Sequence, residues 1–199
     1  MSNPRLSLLL ASAPPGAARR PVVPNGVLGM LVFVIIEAML FSGMLSAFAI
    51  VRASAPTGWP PLGQPRLPAA STGLNTAFLV ASGVLVAIAA IRFRRSRTSA
   101  TTPLAAGIVL GLVFVVAQGR EWVALLAQGL TLTSSALGSF FYLIIGCHGL
   151  HAVAALVVLG WALARLVRGT LTDEQFWTVR VLWYFVVGIW PLLYQQVYL

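Results

Sequence analysis

The chain has 199 residues, of which 59% are hydrophobic and 9% charged, whereas a soluble domain has about 45–50% and about 25%. This balance excludes a soluble enzyme. Thirteen arginines, no lysine and four acidic residues give a formal charge of +9, but the arginines cluster at the ends of apolar runs, which indicates membrane topology and not nucleic-acid binding.

The amino-terminal residues 1–25 combine prolines with three arginines, and they are predicted to form a flexible cytoplasmic tail. A signal peptide is the alternative, because Arg5, the following leucines and the stretch 11–13 imitate its three regions in order. Two features speak against it. The apolar run is short, and Arg19 and Arg20 would then have to cross the membrane.

Five later segments are long enough to cross a hydrocarbon core, which takes about 20 residues at a rise of about 1.5 Å each. The sequence therefore predicts an all-α membrane protein, with residues 26–199 forming one bundle of five transmembrane helices. The predicted spans lie near Gly26–Val51, Leu74–Ile91, Pro103–Leu126, Leu137–Leu166 and Thr178–Leu199.

The distribution of arginines predicts the orientation of the bundle. Ten of them fall on one side, in the tail and at the second and fourth connections, whereas only Arg52 and Arg66 lie on the other side and Arg120 lies within the third span. Cytoplasmic loops carry the excess of basic residues. The amino terminus is therefore predicted to be cytoplasmic and the carboxy terminus external, with an irregular, proline-rich external loop over residues 52–73.

Glu37 lies near the middle of the first span. An acidic residue at a helix centre costs about 2.5–3.5 kcal/mol on insertion scales, so Glu37 should face protein. Two interpretations stay open: a proton-relay or lipid-cavity residue, and a protonated, hydrogen-bonded contact between helices. We predict that Glu37 contacts the fourth helix through His148 or His151.

His148 and His151, the two histidines of the chain, stand three residues apart and share one face of the fourth span. Together with Cys147 they raise the question of a metal site. Two ligands on one helix cannot hold a haem or a copper ion without a further ligand opposite, so we predict no metal and a buried polar contact instead. Cys147 is predicted to point away from both rings and to pack.

Charged residues at span ends have simpler interpretations. Glu121 follows Arg120 near the outer end of the third span, where a salt bridge between them is favoured over catalysis. Arg165 and Arg168 project from one face of the fourth span, and arginine contacts phosphate in a bidentate manner. We predict that this pair binds a phospholipid headgroup in the cytoplasmic leaflet; the alternative is that both are positive-inside residues in water.

Several short strings occur in a fixed order. Glu37 is followed by Phe41 and Gly43, and the fourth span contains His148-Gly149-Leu150-His151. The others are Trp59-Pro60-Pro61, Leu74-Asn75-Thr76, Gln118 with Glu121-Trp122, and Gly138-Ser139-Phe140-Phe141. Together these strings resemble subunit III of the haem-copper oxidases, the cytochrome c and quinol oxidases, in its five-span bacterial form.

The resemblance implies a non-redox subunit in the bacterial inner membrane that binds no cofactor of its own. It implies packing beside the catalytic subunit I and other respiratory subunits, with haem and copper held only in that partner. It also implies structural phospholipids between the helices and support for proton uptake and for the stability of the oxygen-reducing core. Gln118 and Glu121 are expected to join Glu37 and the histidines as buried polar contacts.

The chain departs from the family in its last span, where Tyr184 and Val187 replace the family's His and Asp. The role of those two residues cannot be transferred. This leaves open an accessory subunit of a nitric oxide reductase or of an alternative respiratory complex. A small proton-coupled transporter that uses Glu37 and the histidines is a further alternative, but the spans show none of the internal symmetry that transport sites favour.

Overall fold

The computed structural model describes residues 25–55, 58–61 and 63–199. The predicted tail and its signal-peptide alternative, apart from Asn25, lie outside the described residues. Within them the chain forms five long helices, each long and apolar enough to span a membrane, which confirms the predicted fold class. The helices are α1 (Asn25–Ala53), α2 (Ala69–Arg95), α3 (Thr101–Ala127), α4 (Ala136–Val167) and α5 (Asp173–Tyr198), with a 3₁₀ turn at Thr98–Ala100.

Capping side chains set where α4 and α5 begin. The Thr172 side chain accepts a hydrogen bond from the backbone N–H of Gln175, and the Gln175 side chain accepts one from the backbone N–H of Thr172. This capping box starts α5 several residues before the apolar segment. Ser135 likewise caps α4 by accepting from the Gly138 amide. Hydropathy alone marks the hydrocarbon-spanning part of each helix and not these interfacial turns.

The bundle is arranged around α5. α2 packs along α3, α4 packs along α5, and α1 lies at one edge, where it packs mainly against α5 and less against α4. Large rings fill the centre, and the fully buried ones include Phe41, Phe114, Phe141, Trp183 and Trp190. In a bilayer such packing contributes through van der Waals contact, since lipid tails are as apolar as the side chains.

Gly111 allows α3 to approach α4 and α5. A Cβ atom at this position would lie 2.8 Å from Leu156 Cδ2 and 2.9 Å from Trp183 Cη2, both closer than real Cβ atoms come. Trp183 is fully buried, so its ring cannot shift without disturbing its neighbours. Any side chain at position 111 would therefore push the helices apart.

We expect Gly111→Ala to lower the free energy of unfolding by about 1–3 kcal/mol, the usual range for overpacking. Gly119→Ala on the same helix is the matched control, because a Cβ there meets no atom within 4 Å. Thermal or denaturant unfolding of the detergent-solubilised protein measures both. A Gly111→Ala protein as stable as the control would contradict the packing described here.

Candidate functional site

The structure brings Glu37 of α1 and His151 of α4 together. Glu37 Oε2 lies 3.2 Å from His151 Nε2, and each side chain is only 14% exposed. The contact has ion-pair distance without the alignment of a hydrogen bond. The ring of Phe41 lies 5.7 Å from the imidazole and that of Phe185 6.4 Å, centroid to centroid. The ring of Phe33 lies 6.3 Å from the imidazole, so three aromatic rings flank a polar pair in the apolar part of the bundle.

The other ring nitrogen of His151 determines what this pair can hold. His151 Nδ1 lies 2.8 Å from the backbone carbonyl oxygen of Cys147. A carbonyl can only accept, so Nδ1 carries a hydrogen. In a neutral imidazole with the hydrogen on Nδ1, Nε2 is an acceptor, and this acceptor lies toward the Glu37 carboxyl. A carboxyl and an imidazole in this arrangement can hold one proton between them once they align.

His148 has different surroundings from His151. It is 1% exposed, its ring centroid lies 4.8 Å from that of Trp190, and neither ring nitrogen has a hydrogen-bond partner among the described residues. Phe114 meets the imidazole edge-on at 6.2 Å. Of the two histidines proposed to meet Glu37, the structure places His151 against it and packs His148 among aromatic rings.

The orientation predicted for Cys147 is wrong. Its Sγ atom lies 3.8 Å from His151 Nδ1, because residues four apart on a helix are neighbours. Within residues 25–55, 58–61 and 63–199 no group of three or more His, Cys, Asp or Glu side chains could hold a metal ion. That the chain binds no metal stays a prediction.

Glu121 does not form the predicted salt bridge with Arg120. Adjacent residues on a helix point in different directions, and Glu121 turns toward α2. There Ser71 Oγ donates to one carboxylate oxygen at 2.7 Å and Thr72 Oγ1 donates to the other at 2.7 Å. In the described part of the chain Glu121 makes no ion pair. The carboxylate is instead satisfied by two hydroxyl groups.

Gln118 extends this polar network across the bundle. Its Nε2 donates to Tyr198 Oη at 2.8 Å and to Glu121 Oε2 at 3.4 Å, and its Oε1 accepts from Asn75 Nδ2 at 3.1 Å. Side chains of α2, α3 and α5 therefore meet at one buried point. Asn75, Thr72 and Tyr198 were not predicted as site residues; the polar residues of α2 within an apolar run were the available signal.

Two further positions concern the predicted lipid site and the family departures. Arg165 Nη2 donates to the Thr170 carbonyl at 3.2 Å, and its guanidinium lies 5.2 Å from the Trp161 ring, whereas Arg168 is exposed at the end of α4.

On α5, Val187 packs against Gly83 of α2, since a Cβ atom built on Gly83 would lie 3.0 Å from Val187 Cγ1. Valine at this position serves helix contact.

Comparison with known proteins gives one family. A sequence profile of the family described as cytochrome c oxidase subunit III matches residues 14–199. The chain is 33% identical over 183 residues to a probable cytochrome c oxidase subunit 3 of Mycobacterium leprae, and 30% identical over 186 residues to one of Nocardia farcinica, with 88% of each chain covered in both cases.

A third relative provides a similar match. The chain is 34% identical over 189 residues to cytochrome c oxidase subunit 3 of Struthio camelus, and the match covers 89% of this chain and 71% of the relative. The resemblance to subunit III of the haem-copper oxidases is thereby confirmed.

A double-mutant cycle tests the Glu37–His151 pair. We expect the effects of Glu37→Ala and His151→Ala on the free energy of unfolding to be coupled by about 0.5–3 kcal/mol, as for residues in direct contact. Glu37→Gln should cost less than Glu37→Ala, because its amide can still donate to Nε2. Glu37→Ala combined with Arg168→Ala, at the far end of α4, is the control and should be additive. Additivity in both cycles would show that the pair does not interact.

Proposed function

The chain belongs to the cytochrome c oxidase subunit III family and is a multi-pass membrane subunit of a terminal oxidase. We propose that it serves the catalytic haem-copper subunit and carries out no redox chemistry of its own. The family match over nearly the whole chain is the observation that carries this proposal. The proposal has three more specific parts: support of proton uptake, binding of lipid, and the identity of the partner subunit.

The histidines support a non-redox role. The chain has two, and His151 directs Nδ1 to the Cys147 carbonyl and has Nε2 3.2 Å from Glu37 Oε2. His148 is enclosed by the rings of Phe41, Phe114 and Trp190. Two histidines on one helix cannot build a haem-copper centre without ligands from the opposite side, so in this proposal both cofactors belong to the partner subunit.

The Glu37–His151 pair supports a role in proton uptake. A carboxyl and an imidazole that share one proton can accept or release it with little movement of heavy atoms. Ionisable residues inside a membrane commonly mark proton relays. We assign this pair the task of holding a proton close to the partner's uptake path, and the flanking rings of Phe41 and Phe185 limit access of water.

Arg165 and Arg168 support lipid binding at the predicted cytoplasmic boundary. Arg168 is exposed and free to contact a phosphate, whereas Arg165 is steadied by Trp161 and by the Thr170 carbonyl. Both lie at the carboxyl end of α4, whose dipole favours positive charge. In this proposal they hold a headgroup, and the acyl chains extend along the bundle toward the depth of Glu37.

Affinity purification of the tagged chain from native membranes tests the proposed function. We expect haem-containing subunits to copurify and the isolated chain to carry no proton flux in vesicles. The tagged Trp183→Ala chain lacks a fully buried ring at the centre of the bundle. It is the control that shows whether copurification depends on an intact fold. A chain that purifies free of haem proteins and conducts protons alone would be a transporter.

The double variant Arg165→Gln/Arg168→Gln tests the proposed lipid site. We expect loss of about one phospholipid per purified complex, because glutamine cannot replace the bidentate guanidinium contact. Arg92→Gln/Arg95→Gln is the matched control, since these arginines are exposed, as Arg168 is, and lie at the same predicted face. Phosphorus analysis of the purified complexes measures the difference. Equal lipid content in all three proteins would refute the site.

A further inference from the structure

A second pair of arginines lies at the opposite end of the bundle. Arg66 in the loop between α1 and α2 and Arg120 on α3 line one cavity of about 300 Å³. Ser71, Glu121 and Gln128 complete its polar wall. Both arginines are exposed. Two arginines therefore line one cavity, and among the described residues neither of them forms a salt bridge.

The Glu121 carboxylate in the cavity wall does not neutralise both arginines. Glu121 accepts hydrogen bonds from Ser71 and Thr72, one on each oxygen, and it makes no ion pair with Arg120. The three charged residues of the wall give a net charge of one positive unit. Arginine is the residue best suited to phosphate, because its planar group forms two parallel hydrogen bonds.

Arg120 also ends an open apolar face of α3. Beyond Arg120, this face is formed by Val109, Leu112, Val113, Val116 and Ala117. These residues recur at intervals of three and four, so they share one helix face. From residue 109 to residue 120 this face is about 16 Å long at 1.5 Å per residue. An apolar strip thus leads from a positively charged cavity into the depth of the membrane.

We propose that Arg66 and Arg120 bind the phosphodiester of a glycerophospholipid whose acyl chain follows the apolar face of α3. The shared Arg120 joins a headgroup cavity to an apolar strip, which is the arrangement that a phospholipid requires. The site is separate from Arg165 and Arg168, because α3 and α4 are consecutive antiparallel spans and their carboxyl ends lie at opposite membrane faces. The bound lipid links the loop to α3.

Native mass spectrometry of the purified oxidase complex tests this proposal, with phosphatidylglycerol as the added probe. We expect Arg66→Gln/Arg120→Gln to weaken binding of one phosphatidylglycerol by about tenfold or more. Arg92→Gln/Arg95→Gln, at the opposite face, is the matched control and should leave that binding unchanged. Arg66→Lys/Arg120→Lys should retain part of the affinity, because it keeps the charge and loses the bidentate geometry.

Three outcomes would overturn the proposal. Equal affinity in the glutamine variant and the control would show that the arginines do not hold the phosphate. Displacement of the lipid by equimolar inorganic phosphate would identify a free-anion site in which the acyl chain has no part. Loss of a neighbouring subunit from the glutamine variant, with its lipid content unchanged, would identify a protein carboxylate as the partner of the two arginines. An unchanged unfolding temperature of the variant excludes misfolding as the cause of lost binding.

Discussion

A polar group inside a bilayer must find its partner within the protein, and this constraint determines which helix surfaces of the bundle meet. Glu37 costs free energy in hydrocarbon, and its contact with His151 fixes the edge helix α1 against α4. Gln118 and Glu121 draw partners from α2 and α5. The two polar clusters lie at different depths, so together they define both the position and the rotation of the helices.

Close approach of the helix backbones makes those contacts possible. Gly111 brings α3 within contact distance of Leu156 and Trp183, and the same closeness allows Gln118, seven residues further on, to reach Tyr198. Apolar packing in a membrane has no hydrophobic driving force of its own. The stability of the bundle therefore depends on small residues and satisfied polar groups acting together.

The sequence predicted the five spans and the family because both depend on local patterns, namely long apolar runs and short strings in order. It could not decide between His148 and His151, since residues three apart share a helix face and the choice depends on how α1 crosses α4. It assigned Glu121 to its sequence neighbour Arg120, whereas the hydroxyl partners lie some 50 residues away on α2. The capping box at Thr172 extended α5 beyond its apolar segment.

The separation of Glu37 and His151 along the chain affects how the protein is made. More than a hundred residues lie between them, which at roughly 5–20 residues per second means a delay of several seconds or more during synthesis. α1 must therefore enter the membrane before its polar partner exists. The first span has a mean hydropathy of 2.3, which offsets the lone carboxyl during this interval. When α4 inserts, His151 becomes the partner of the Glu37 carboxyl. The insertion of the first helix is therefore completed only by a later one.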